Sequence, residues 1–301
     1  MAGRSIMPTS HLPRNILFPT DFSKSSEATI GHVVGLASAF NAKVWLLSVV
    51  PSLADFHGVS ENYFEQLGDA AFANLDRDQK VFETDRLRKL ECLQKQYFGP
   101  VESEICVKSA GVAESIVDYA AEIKADLIMM PTHGLGRRRR FLIGSVTAKV
   151  LHDAVCPVWT SPHPRELEPF HPYRHVLLAI DNRELSVELL TRASELAGFL
   201  HGQLSVLRAL PAHGTSGDEA VLKRTREMAD ALHDRIAAKG VKASVHLMEG
   251  NPGEVVRQVA EEIEDADLII TGRGHLEESM GHLRTHAYEI IWNAPCPVIT
   301  L

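Results

Sequence analysis

Along the chain, short runs of consecutive apolar residues alternate with longer stretches whose apolar positions recur every three to four residues. The runs "NILFPT", "KVWLLSVV", "ESEICVKS", "DLIMMP" and "PVWTS" carry many β-branched residues and are too short for helices, so they predict strands. Between them, "SSEATIGHVVGLASAF" and "GVAESIVDYAAEI" keep the helical period. Strongly apolar strands alternating with helices predict a doubly wound parallel sheet, α/β and Rossmann-like, with helices on both faces.

The pattern is written twice. "RNILFPTDFSKSSEATIGHVVGLASAFNAKVWLLSVVP" aligns with "RHVLLAIDNRELSVELLTRASELAGFLHGQLSVLRALP", and both place 30 positions between Asp and Pro, from Asp21 to Pro51 and from Asp181 to Pro211. Further on, "AGVAESIVDYAAEIKADLIMM" answers "EGNPGEVVRQVAEEIEDADLII", and "AVCPVWTS" answers "APCPVITL". The chain therefore divides into domains at 1–162 and 174–301, joined by a linker, 163–173, in the proline-bearing stretch "SPHPRELEPFHPYRH". The first copy is longer between Pro51 and Gly111, and its extra residues are charged and helical in period, which predicts an enlarged helix or lid. The closing strands "CPVWTS" and "CPVITL" are short and apolar. Left unpaired each would be an exposed edge, so they are expected to pair across a pseudo-twofold axis and make one chain a pseudo-dimer, with further homodimerisation left open.

Composition narrows the function classes. With 301 residues, 45% of them hydrophobic, the chain is long enough for two cores. No apolar run approaches the ~18 residues that cross a bilayer, and the first residues lack the apolar core of a signal peptide, so no membrane partner and a cytoplasmic location are expected. Cys92, Cys106, Cys156 and Cys296 form no CxxC pair, which predicts reduced, mostly buried thiols. A net charge of -8 argues against a nucleic-acid partner, with the run Arg137 to Arg140 as a local exception.

Ligands of such sheets sit beyond the carboxyl ends of the strands, where the strand order switches. The residues that follow strands are Pro19, Thr20 and Asp21 after the first, Val49 closing the second, and the loop that begins at Pro131. In that loop Gly134 lets the backbone approach a ligand, and Gly144-Ser145 opens the helix "SVTAKVLHDA", whose first amides form a cradle for an anion. Ser145 is either the N-cap or a hydroxyl donor to phosphate. Four arginines make a solvated face, from which Arg137 or Arg140 reaches a phosphate. The plainer alternative is that the glycines only turn the chain and Asp21 only caps the helix beginning near Ser23.

Pro19-Thr20-Asp21 at a strand end, Gly134 followed by nine residues, Gly144-Ser145-Val146-Thr147 and then "CPVW" together resemble the universal stress proteins of the UspA superfamily, in their tandem form. The loop signature of the ATP-binding members is Gly, two residues, Gly, nine residues, then Gly-Ser or Gly-Thr. Gly134, Gly144 and Ser145 match it, while Pro131 stands at the first glycine and removes a backbone donor. The resemblance implies ATP or a related adenine nucleotide, with or without magnesium, as the ligand. It places Asp21 at adenine and ribose, the backbone of Val49 at the adenine edge, and the helix start from Gly144 through Val146 to Thr147 at the phosphates. It further implies a stress-response sensor or regulator that acts through a regulatory protein partner.

The second copy breaks the cradle, because Arg284-Thr285 stands where Gly144-Ser145 stood and Glu277 and Glu278 repel a polyanion. No ATP is expected there, although Asp181 persists. His282 and His286 share a helical face near His275, but no third metal ligand is fixed by spacing, and a solvated surface is the stronger reading. Neither a GxSxG elbow nor a Walker lysine nor a carboxylate pair beside a base is identified, so at most slow ATP hydrolysis is expected. Two other classes compete: a scaffold that binds no nucleotide and presents the long helix to a partner, and an adenylate-transferring enzyme, for whose acceptor the sequence offers no residue.

Overall fold

In the computed structural model the described residues are 12–51, 69–133, 143–162, 169–180, 187–210, 243–263, 265–273 and 286–301, with a few positions between 227 and 238. Each apolar run becomes a strand. In the first half these are β1 (Asn15–Pro19), β2 (Lys43–Val50), β3 (Ser103–Ser109), β4 (Leu127–Pro131) and β5 (Val158–Ser161). In the second they are β6 (His175–Ile180), β7 (Gln203–Leu210), β8 (Ala243–Glu249), β9 (Leu268–Thr271) and β10 (Val298–Thr300). Helices cross between them: α1 (Lys24–Phe40), α2 (Asp69–Tyr97), α3 (Val112–Glu122) and α4 (Ser145–Asp153), then α5 (Val187–Phe199), α6 (Pro252–Gln258) and α7 (His286–Asn293).

The strands form one sheet in the order β3-β2-β1-β4-β5-β10-β9-β6-β7-β8. Within each half every pairing is parallel, and the register repeats: Asn15 faces Lys43 as His175 faces Gln203, and Ile16 faces Leu127 as Val176 faces Leu268. The halves meet at an antiparallel ladder of β5 on β10, where Trp159 lies opposite Ile299. A pseudo-twofold axis therefore passes between those two residues, and the expected pairing of the closing strands is present.

Alternation along the strands sorts side chains into two apolar layers. Ile16, Phe18, Met129 and Trp159 face α1 and α5, while Leu17, Ile128, Met130 and Val158 face α3, α4, α6 and α7. Both layers run through both halves. The central strands are almost wholly buried, whereas β3 and β8 at the outer edges carry only half-buried and exposed positions. The first copy's additional residues form α2, 29 residues long, which packs on β2 and β3. Residues 52–68 ahead of it lie outside the described residues.

The proline-bearing connection contributes to the core as well as joining the halves. Tyr173 is buried, and Phe170 lies against Gly31 and Gly35 of α1, where a Cβ at Gly35 would run into its ring. The chain enters both halves in the same way: Asp126 accepts from the backbone N–H groups of Arg14 and Asn15, and Asp267 accepts from those of Arg174 and His175. Burial raises the Asp267 pKa above the ordinary carboxylate value, against the opposing effect of these two amides.

Candidate functional site

At the strand-order switch of the first half, β1 lies between β2 and β4, and the chain leaves β1 and β4 in opposite directions along the sheet. The ladder between them joins Ile16 to Leu127 and Leu17 to Ile128. Beyond it the carboxyl ends of β1 and β4 frame a crevice, as expected for an open parallel sheet.

On the β1 side, Pro19 ends the strand. Buried Thr20 is fixed by its N–H to the Leu47 carbonyl at 2.8 Å, and its own carbonyl accepts from Ser48 Oγ at 3.2 Å. Asp21 Oδ1 accepts from the Ser23 amide at 2.9 Å and from Ser26 Oγ at 2.7 Å. Ser23 is the N-cap of α1 and accepts from the Ser26 amide. The alternative that Asp21 caps α1 is corrected: Ser23 is the cap, and Asp21 braces it through one carboxylate oxygen. Val49, at the end of β2, packs half-buried against the α3 side of the sheet.

Two residues here escaped sequence reasoning. Phe22 holds φ at 60°, a left-handed conformation that costs a bulky side chain roughly 1 kcal/mol or more and tends to occur at ligand sites. Its amide bonds Thr20 Oγ1 at 3.1 Å. Arg86 of α2 lies over the Phe22 ring, 5.3 Å from its centroid, and reaches toward the Asp21 carbonyl at 3.4 Å. No spacing rule brings position 86 to position 21; only docking of α2 on the sheet does so.

On the β4 side, the Pro131 carbonyl accepts from Thr147 Oγ1 at 3.0 Å, and the Thr132 carbonyl accepts from the Gly144 amide at 2.9 Å. These two bonds tie the α4 start to the strand end. Pro131 pairs with Ser161 of β5. A Cβ on Gly144 would come within 3.3 Å of the Thr132 carbonyl oxygen, tighter than most Cβ contacts, so a side chain there needs the backbone to give by a few tenths of an ångström.

The N-cap of α4 is Gly144 itself, with no side-chain capping bond, and Ser145 is the first helical residue. The N-cap alternative for Ser145 is corrected accordingly: its hydroxyl lies at the first turn and does not close it. The amides of Ser145, Val146 and Thr147 lack intrahelical partners by their position, and the positive end of the helix dipole lies with them. Such a helix start can hold an anion without moving. Gly134, Arg137 and Arg140 lie outside the described residues.

In the second half, Gly272 stands where Pro131 stands, with Thr271 at the position of Met130 and Arg273 at that of Thr132. Arg273 turns away from its own half: its guanidinium donates to the carbonyls of Ala154 and Cys156 at the end of α4. Burial lowers its pKa. His133 of the first half has its ring edge-on to Trp292 at the end of α7, with centroids 6.3 Å apart. Asp181, His275, Glu277, Glu278, His282, Arg284 and Thr285 lie outside the described residues. His286 Nδ1 lies 3.8 Å from a Glu289 carboxylate oxygen. All four cysteines are free, with Cys156 and Cys296 buried, Cys106 half-buried and Cys92 exposed. No described helix is long and apolar enough to cross a membrane.

Comparison with known proteins adds the family. The model described as "Universal stress protein family" matches residues 13–162 and again 172–301. A universal stress protein of Methanocaldococcus jannaschii is 30% identical over 158 residues, covering 52% of this chain and 86% of that protein. A Staphylococcus aureus relative named for the same family is 29% identical over 168 residues, covering 52% of this chain and 90% of that protein. Among solved structures, a universal stress protein from Archaeoglobus fulgidus superposes with a TM-score of 0.64 at 20% identity over 95% of both chains. A functionally unknown protein from Pseudomonas aeruginosa gives 0.63 at 17% identity, over 97% of this chain and 93% of that one.

Proposed function

The chain belongs to the universal stress protein family in both halves, and from that premise we propose that its first half binds ATP or a related adenine nucleotide as a sensor or carrier in the stress response. The observation that carries the reading is the α4 start, where an uncapped helix N-terminus is locked to the end of β4 by Gly144 and Thr147. In this reading the amides of Ser145, Val146 and Thr147 take the phosphates, and Arg137 adds charge beside Gly134. Asp21 meets the ribose and adenine, with Pro19 and Thr20 shaping that wall and the Val49 backbone meeting the adenine edge. The Pro131 carbonyl is already engaged by Thr147, so Pro131 contributes shape and helix anchoring in place of a backbone donor.

The domains would run over 1–162 and 174–301 about a linker at 163–173. A magnesium ion would accompany the phosphates, the second half would stay free of ATP, and a protein partner in the cytoplasm would read the nucleotide state. Turnover, if any, rests on position and charge alone.

The test is an equilibrium titration of the purified protein with ATP. Saturable binding is expected, and Gly144→Arg, which places a side chain against the Thr132 carbonyl, is expected to weaken it at least tenfold. No saturation in the parent protein, or unchanged affinity in a folded Gly144→Arg variant, rejects the reading. A scaffold function is favoured by one separate observation: Val81 and Phe82 on α2 are 61% and 51% exposed, an apolar pair on the helix formed by the first copy's longer segment. The same titration separates the two readings.

A further inference from the structure

The helix α2 carries the chain from β2 back to β3 on the face that α1 also covers, and its Leu90 and Phe98 are buried in the same apolar layer as Phe18. Two polar contacts, one helical turn apart, tie it to strand ends. Glu83 accepts from the hydroxyl of Ser109, the last residue of β3, and Arg86 reaches the Asp21 carbonyl beyond β1. The registers put these ends level, since Ser109 lies beside Val50 and Pro19 beside Leu47. Because β2 lies between β3 and β1, the turn from Glu83 to Arg86 spans the end of β2, where Val49 stands, and delivers the guanidinium to that side of β1. The α4 start is on the other side, next to β4.

Arg86 is half-buried, and the acids beside it on α2 are engaged elsewhere: Glu83 by Ser109, and Asp85 by Lys89 at 2.7 Å. Among the described residues no carboxylate lies within ion-pair distance of its guanidinium. One N–H meets the Asp21 carbonyl at a long 3.4 Å, and the Phe22 ring backs the guanidinium, 5.3 Å from the ring centroid. Phe22 is itself held at a φ of 60°, with its amide on Thr20 Oγ1. Such a conformation persists only where the surroundings impose it, and here it puts a flat apolar ring behind a flat cation. A guanidinium backed in this way presents its opposite face as a stacking surface for a second π-system.

We propose that Arg86 is a base-stacking residue of the first-half site: its guanidinium, backed by Phe22, lies on the face of a purine whose edge meets the Val49 backbone. This role rests on the nucleotide reading above and makes Arg86 the residue that selects the base. Arginine planes stack on bases whatever phosphate the nucleoside carries, so the site takes adenosine as well as its phosphates, and takes a purine over the smaller pyrimidine. Holding the phosphates is disfavoured as the role of Arg86 by its place across β1 from α4.

ATP, adenosine and CTP are titrated into the full-length protein and into Arg86→Met, which keeps an unbranched stem and loses the plane. Loss of the stack is expected to weaken ATP and adenosine by the same factor, about tenfold, and CTP by about threefold or less, so that the preference for the purine narrows. Arg86→Lys, which keeps the charge without the plane, is expected to lose purine affinity in the same way and reports independently if the methionine variant fails to fold. With isotope-labelled arginine, the side-chain Nε–H signal absent from the variants is that of Arg86. Saturation of the parent with adenosine is expected to move it upfield, the shift of a proton held over a purine face.

The assignment is overturned if ATP weakens while adenosine does not, which makes Arg86 a phosphate contact, or if ATP and CTP weaken alike, which makes it a prop for the turn after Asp21. It is equally overturned if a folded variant binds as the parent does or if the Arg86 signal stays in place. A parent that binds ATP and a variant that binds it as well reject this role alone, whereas a parent that binds none of the three ligands rejects the nucleotide reading and this role together.

Discussion

Asp21 is already engaged in structure at the start of α1. Its Oδ1 holds the Ser23 amide and the Ser26 hydroxyl and so braces the cap of α1, an arrangement worth ~1 kcal/mol. Asp21→Asn retains an oxygen acceptor and is expected to leave the urea midpoint nearly unchanged, whereas Asp21→Ala lowers stability by about 1 kcal/mol. If the carboxylate also meets the nucleotide, both variants weaken ATP binding, and Asn separates the two roles. Full ATP affinity in Asp21→Asn would leave Asp21 with the bracing of Ser23 alone. Much of this was legible beforehand: Asp21, Gly144 and Thr147 were marked by their positions after strands and at a helix start. Phe22 and Arg86 were not, because a left-handed φ on phenylalanine and a contact from α2 arise only once tertiary packing fixes them. Arg273 was equally silent in the sequence. Its register position matches Thr132, yet its guanidinium serves the far end of α4 in the other half, where a cation complements the negative end of the helix dipole.

Among the elements, α4 is held at both ends: the strand end of β4 fixes its start, and Arg273 binds the carbonyls at its finish. Just beyond it, burial pushes the Cys156 thiol up to about 11, with Arg273 pulling it partly back, and burial raises the Cys296 thiol as well. A folded thiol that keeps its proton while the unfolded one releases it makes stability fall as pH rises between the two values. The protein is therefore expected to lose on the order of 2 kcal/mol between about pH 8.5 and pH 11 from Cys156. Cys156→Ala should flatten that part of the slope in urea melts, and an unchanged slope would reject the assignment. Element identity was largely readable, since short apolar runs and helical periods do not resemble each other. The packing of the linker was not readable, because the burial of Tyr173 and the partial burial of Phe170 depend on His32 and Gly35 of α1, which have no sequence proximity to them.

For the whole molecule, the seam of β5 on β10 decides how many bodies there are. Because the sheet and both apolar layers continue through it, the halves share a core while keeping separate crevices. A chain cut to residues 1–168 would expose the β5 edge and bare the Trp159 side of the seam. It is expected to self-associate through that edge, detectable as a concentration-dependent mass in light scattering, and Thr160→Lys should keep the fragment monomeric. A strictly monomeric parent fragment would show that the edge is protected by other means. The repeat predicted this pairing. The seam also sets an order of events on the ribosome. Strand β5 emerges early, and its antiparallel partner β10 follows every other strand described here, so a nascent chain elongating at ~5–20 residues per second carries an uncovered adhesive edge for roughly ten seconds. During that interval two chains on one polysome are the nearest substitutes for the missing strand, making translation speed and chaperone access determinants of yield.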